Sequence, residues 1–223
     1  GVDKVKNLIQ SNPAQASEEA GELLKGKNKK NVDLVTSVAH VYLDAGKITE
    51  AQEYLAMAKK ANNKDPKVSV LEGDIALAQK NIGQACQLYE QAIYFDPNCK
   101  EAYLKYAQAY KSASPTQAIE KLEQLKAVDP NCLEADRELA EVYYSGNRFG
   151  KAAEMYAKFI DTPLATEDDM LKYAFALFLN HDFEKSLQVA QKGLQKNARH
   201  AAFNRLVMYN NTDLKRYEDA EKA

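Results

Sequence analysis

Tryptophan is absent from the 223 residues, and cysteine, histidine and methionine are scarce at three, three and four. Cys86, Cys99 and Cys132 form no C-x-x-C pair, and their odd number argues against a disulfide framework or a zinc site. His40, His181 and His200 are scattered without ligand spacing. No metal and no cofactor is therefore expected. No apolar run approaches the roughly 20 residues of a membrane-spanning helix, and no signal peptide is present. Neither sign of charge dominates: 30 basic residues face 32 acidic ones, a net charge of -2. Nucleic-acid binders carry a basic excess, so no nucleic-acid partner is expected. The one basic cluster, Lys25, Lys27, Lys29 and Lys30, lies in a Gly/Asn-rich connection and reads as a solvated loop. Walker loops, G-x-G-x-x-G, G-x-S-x-G and H-E-x-x-H are all missing, which leaves no catalytic signature and predicts a protein that is not an enzyme. The chain starts at Gly1 rather than Met, and Gly-Val-Asp resembles the scar of tag cleavage. It stops at Ala223 partway into a helical pattern. A piece of a longer protein is the expectation, and the compartment stays open.

What is present is a repeat. Hydrophobic residues make up 45% and charged residues 28%, ordinary for a folded chain. Small residues recur at Ala51, Ala85, Ala118, Ala152, Ser186 and Ala220, at intervals of 34, 33, 34, 34 and 34. A second column precedes each by twelve residues, or eleven in the third unit: Ala39, Gly73, Ala107, Ala140, Ala174 and Met208. Three residues further on stand Tyr42, Ala76, Tyr110, Tyr143, Leu177 and Asn211. A fixed period of this length marks a stacked supersecondary unit. Each unit reads as two amphipathic helices, with apolar residues at i, i+3, i+4 and i+7. In the second of these, Ala85, Leu88, Tyr89 and Ala92 share a face. Gly46-Lys47, Asn81-Ile82-Gly83 and Gly146-Asn147 suit the left-handed caps between helices. Asp96-Pro97-Asn98-Cys99 and Asp129-Pro130-Asn131-Cys132 punctuate the chain between units, since proline cannot continue a helix.

A helix–turn–helix of this period, with small residues at its eighth and twentieth columns, an aromatic at the eleventh and Asp-Pro near its end, resembles the tetratricopeptide repeat. The resemblance runs over residues 32–223, with units at 32–65, 66–99, 100–132, 133–166 and 167–200 and a partial one at 201–223. Residues 1–31 read as a degenerate helix pair: Val5, Leu8 and Ile9 mark one helix, and Ala16, Ala20, Leu23 and Leu24 another. Departures are visible. The third unit is one residue short at Ser112-Ala113-Ser114-Pro115, Gly193 stands where Ala is usual, and the sixth unit lacks its small residue and aromatic. Tyr217 to Ala223 reads as the start of a second helix.

The resemblance implies an all-α, right-handed α-solenoid whose first helices line a concave groove, and a role as a protein–protein interaction scaffold. Carried over by column, Arg137, Glu141 and Tyr144 face that groove in the fourth unit. Phe175 and Phe178 do so in the fifth, and Arg205 and Tyr209 in the sixth. His40, Asp74 and Gln108 occupy the ninth column of the first three units. One groove type of this family clamps a C-terminal carboxylate with Lys and Asn at the fifth and ninth columns. Thr36 and His40 stand there instead, so that mode has no support. Tyr144, Phe175, Phe178 and Tyr209, flanked by Arg137 and Arg205, form the candidate contact stripe, because Tyr and Arg anchor interfaces most often. The competing reading is that Phe175, Phe178 and Leu179 pack against a neighbouring helix. A protein or peptide partner is expected, and self-association through the unfinished C-terminal end is open. The alternative is a structural arm of a larger, exported bacterial assembly protein.

Overall fold

The computed structural model describes residues 1–222, and every regular element among them is helical. Two compact units divide the chain, Gly1–Ser112 and Ala113–Ala223. The division falls inside the third repeat, at the short Ser112–Pro115 connection.

The first unit contains α1 (Val2–Leu8), α2 (Pro13–Leu23), a 3-10 turn (Gly26–Lys30), α3 (Val32–Asp44), α4 (Ile48–Asn62), α5 (Pro66–Ala78), α6 (Ile82–Phe95) and α7 (Lys100–Tyr110). The second contains α8 (Pro115–Val128), α9 (Leu133–Ser145), α10 (Phe149–Phe159), α11 (Glu167–Leu179), α12 (Phe183–Lys196) and α13 (Ala201–Lys222). Starts are written locally. Asn31 and Asn81 accept the Leu34 and Gln84 amides as N-caps, Pro66 and Pro115 fill first-turn positions that need no amide donor, and Thr166 with Asp169 closes a capping box.

Stops are equally regular. Gly46, Lys80, Asn147 and His181 take positive φ at the turn of four pairs. In each, the following amide (Lys47, Asn81, Arg148, Asp182) bonds the carbonyl five residues back, on Tyr42, Ala76, Tyr143 or Leu177. This is the Schellman stop, in which a left-handed residue lets the chain fold back on its own last turn. In the α5–α6 turn the left-handed residue is Lys80 rather than the expected Asn81–Gly83 stretch; Asn81 caps α6, and Gly83 lies inside that helix.

The helices of a pair touch through small residues. Ala39, Ala51, Ala85, Ala140, Ala152, Ala174 and Ser186 are all fully buried. At Gly73 the approach is so close that an added Cβ would lie 2.6 Å from the Tyr89 ring. Around these contacts the first unit buries Val5, Val35, Val38, Leu71 and Tyr89, and the second buries Leu122, Tyr156, Phe159, Phe203 and Leu206.

The C-terminal end departs from expectation. Tyr217 does not begin a separate second helix: α13 runs unbroken from Ala201 to Lys222. Asn210 supplies the reason. Buried completely, it donates to the Leu206 carbonyl (2.9 Å) and to Ser186 Oγ (2.8 Å), while Ser186 donates to the Ala174 carbonyl (2.8 Å). A residue type that often ends helices is here held inside one, and it ties α13 to α12 and α12 to α11.

Gly193, in α12, fits the same packing logic. A Cβ there would lie 2.6 Å from the buried ring of Phe203. Alanine is the better helix former by about 1 kcal/mol, yet overpacking costs about 1–3 kcal/mol. Gly193→Ala is therefore expected to destabilise the protein in urea denaturation; a raised midpoint would contradict the close approach.

Candidate functional site

The first helix of each pair carries most of the polar side chains that meet across the repeat. In the first unit, Asp74 on α5 is the centre. His40 on α3 donates to its Oδ2 (2.9 Å), Tyr89 on α6 donates to its Oδ1 (2.7 Å), and Lys105 on α7 pairs with Oδ2. Glu101 lies one turn before Lys105, 3.5 Å from its ammonium group. His40 also points Nδ1 at the Thr36 carbonyl, 2.8 Å away. Both ring nitrogens thus face acceptors, a geometry that only the imidazolium satisfies fully. The hydrogen bond to Asp74 raises the His40 pKa above its ordinary value, against the opposing effect of burial. For Asp74, burial pushes the pKa upward, but its bonds with His40, Lys105 and Tyr89 outweigh that and hold it below the usual carboxylate range.

The second unit repeats the arrangement. Glu141 on α9 accepts from Lys172 on α11 at 3.1 and 3.3 Å, and Tyr156 on α10 aims its hydroxyl at Oε1, 3.5 Å away. Asp168 stands 3.2 Å from Lys172, one turn before it. In both units the tyrosine follows its carboxylate by 15 residues and the lysine follows by 31. Each unit therefore has one carboxylate bridging its own pair and the next first helix. The sequence reading missed Tyr89, Lys105, Tyr156 and Lys172. Their constant spacing from Asp74 and Glu141 was the available signal.

The residues of the candidate stripe are distributed over α9, α11 and α13. Arg137 is held by the buried carboxylate of Asp169 at 3.3 Å. Tyr144 stacks edgewise on Phe149 and Tyr156, with Lys172 above its ring. Phe175 is half-buried against the cluster of Met170, Ala174, Ala190, Phe203 and Leu206. Phe178 is also half-buried, with the rings of Phe183 at 5.6 Å and Tyr209 at 6.1 Å. Arg205 and Tyr209 are exposed on α13, and Gln108 is exposed on α7.

Beside Phe178 opens a cleft of about 380 Å³, lined by Leu179, His181, Phe183, Asp213, Arg216, Tyr217 and Ala220. The Tyr217 ring stacks on Phe183 at 5.6 Å. Leu179 and Tyr217 remain 44% and 56% exposed. Of the lining residues only Phe178 belongs to the contact stripe expected from sequence, because the cleft requires α13 to continue past Asn211. Among the described residues no group of His, Cys, Asp and Glu is arranged to hold a metal ion, and no helix is long and apolar enough to cross a membrane.

The sequence profile of the tetratricopeptide repeat matches residues 39–99 and 108–165, more than half of the chain. The chain belongs to the tetratricopeptide repeat family. Among solved structures, PilW, described as a widely conserved type IV pilus biogenesis factor, superposes with a TM-score of 0.69 at 16% identity, over 92% of this chain and 96% of its own. PilF of Pseudomonas aeruginosa gives 0.66 at 16% identity, over 92% and 97%. YrrB, described as a tetratricopeptide protein with an unusual peptide-binding site, gives 0.59 at 13% identity, over 83% and 96%. Identities this low show the shared fold alone. No curated protein sequence matches the chain significantly.

The Asp74 centre makes a pH prediction within this tetratricopeptide framework. Because the folded pKa of His40 is raised, its contribution is complete below the unfolded value of 6.5 and is lost as pH rises through the folded value. Asp74, held low, contributes above its unfolded value of 3.8 and loses that contribution on acidification. The thermal midpoint should fall as pH rises above 6.5, and His40→Gln should flatten that fall. Circular-dichroism melts at constant ionic strength measure it; identical slopes in both proteins would remove His40 as the cause.

Proposed function

We propose that the chain is a protein-interaction scaffold that takes the anchoring apolar side chain of a peptide or protein partner into the cleft beside Phe178. The observation that carries this reading is the cleft itself. It is concave and largely apolar, Leu179 and Tyr217 stand open on its walls, and Asp213 and Arg216 supply a polar rim. Buried aromatic and aliphatic anchors surrounded by a polar rim are where binding energy concentrates. Tyr209 and Met208, 42% and 57% exposed on α13, extend the apolar surface along the same helix.

The charges of the first-helix face support an apolar anchor over a charge clamp. Asp74, Glu141, Lys105, Lys172, Arg137 and Asp169 already pair with one another. Recruiting them for a partner means breaking those pairs, which leaves partly buried charge uncompensated. Family membership favours a protein-binding role, and solved relatives described as having a peptide-binding site or as a biogenesis factor share the fold. The partner's identity comes to none of them.

The test begins with retrieval of a partner from the host and measurement of its affinity in purified form. Leu179→Glu combined with Tyr217→Ala changes only exposed side chains, so circular dichroism should be unaltered. Affinity should weaken at least about tenfold, the loss of a single anchor. Unchanged affinity would remove the cleft as the site while leaving the scaffold role. Failure to retrieve any partner would count against the scaffold role itself.

A further inference from the structure

Two short segments of the first unit, residues 25–30 and 59–64, hold seven lysines and not one acidic residue. They lie at one edge. The α3 and α4 helices pack as an antiparallel pair, so the end of α4 with Lys59, Lys60 and Lys64 stands beside the start of α3. The 3-10 turn leading into α3 packs on α4 and carries Lys27, Lys29 and Lys30. All seven lysines are exposed. Lys25 pairs with Glu22, and Lys59 pairs with Glu72 at 2.8 Å. No ion pair engages Lys27, Lys29, Lys30, Lys60 or Lys64 among the described residues, in contrast to the paired lysines of the first-helix face.

The rest of the chain is acidic. Beyond those two segments, 23 basic residues face 32 acidic ones. A local basic excess of this kind attracts an anionic surface to this edge of the first unit. The composition of the edge selects among such surfaces. Neither segment contains an aromatic residue or an arginine. Stacking on bases and bidentate grip of phosphates are therefore missing. Protein interfaces are depleted in lysine and are anchored by Tyr, Trp and Arg. Flexible lysine point charges spread over a turn and a helix end suit many mobile headgroups at once.

We propose that this lysine edge docks the protein peripherally on an anionic lipid surface, independently of the cleft in the second unit. The attraction is electrostatic, because the only apolar side chain in the two segments is Ala61. Each lysine at such a surface strengthens partitioning about fivefold, and salt weakens the whole effect within a Debye length of about 8–10 Å.

The experiment is vesicle co-sedimentation of the full chain. Phosphatidylcholine vesicles with and without phosphatidylserine are compared at low and physiological salt, beside Lys27→Gln/Lys29→Gln/Lys30→Gln. Those three side chains make no structural bond; the turn is held by Asn28 donating to the Leu23 carbonyl at 2.8 Å, so folding should be intact. Binding is expected only with phosphatidylserine, falling as salt rises and falling about a hundredfold in the triple variant. No binding, equal binding to neutral vesicles, or equal binding by the variant overturns the proposal. Displacement from vesicles by random-sequence duplex DNA at lower phosphate concentration also overturns it, and assigns the edge to nucleic acid.

Discussion

The close approach of the two helices in each pair is the constraint on which the remaining features depend. Ala39, Gly73, Ala140 and Ala174 themselves place at most a methyl group against the second helix, and at Gly73 the Tyr89 ring fills the space a Cβ would take. Backbones that near one another let a tyrosine on the second helix reach over the contact to a carboxylate on the first. Tyr89 does so to Asp74 and Tyr156 does so to Glu141. A larger residue in the small column would push the helices apart and lengthen those bonds beyond use. The tight pair and the polar bridge are one device, and the repeat copies it.

The bridge contributes specificity more than stability. Asp74 and Glu141 are partly buried, and their pairing with Lys105 and Lys172 offsets a desolvation cost of similar size. Removing either partner is the expensive change, since it leaves a charge without compensation. Because the lysine comes from the next first helix, a slip of one helix along its neighbour would break the pair. Apolar packing alone tolerates such slips more readily, so the bridges set the register that the apolar columns permit.

The fold was legible in the sequence because the small and aromatic columns serve a contact that allows few residue types. Ala51 through Ala152 read directly as the seam between helices. The bridges were harder to see. Asp and Glu alternate at their centre, and Lys105 and Lys172 look like ordinary surface residues until placed beside a carboxylate. Lys80 hid a left-handed cap behind a residue that rarely adopts one, while nearby Gly83 offered a misleading alternative. At the C-terminal end, Tyr217 read as the start of a second helix, whereas α13 runs on unbroken with Asn210 buried against Ser186. The surroundings of the aromatic stripe were not legible in the same way. Column positions say which way a side chain leaves its helix, but whether Phe175 meets solvent depends on what α13 covers.

Exposure alone does not mark a contact surface, and two tyrosines show why. Tyr94 is 83% exposed, more than Leu179 or Tyr217 of the cleft, but among the described residues only Phe95 stacks beside it. A partner reaching Tyr94 would cover one face of one ring. Tyr217 is less exposed, yet it forms a wall with Phe178, Leu179 and Phe183 around a shared cavity. A single apolar side chain entering there is surrounded on several sides, and the area removed from water per entering group is correspondingly larger. At roughly 25 cal/mol per Å² of apolar surface, concavity decides how much binding energy one anchor can supply. Scattered exposed residues such as Tyr94 are ordinary on a folded protein. It is contiguity around a hollow, created by a helix that fails to turn where its repeat would, that singles out the cleft.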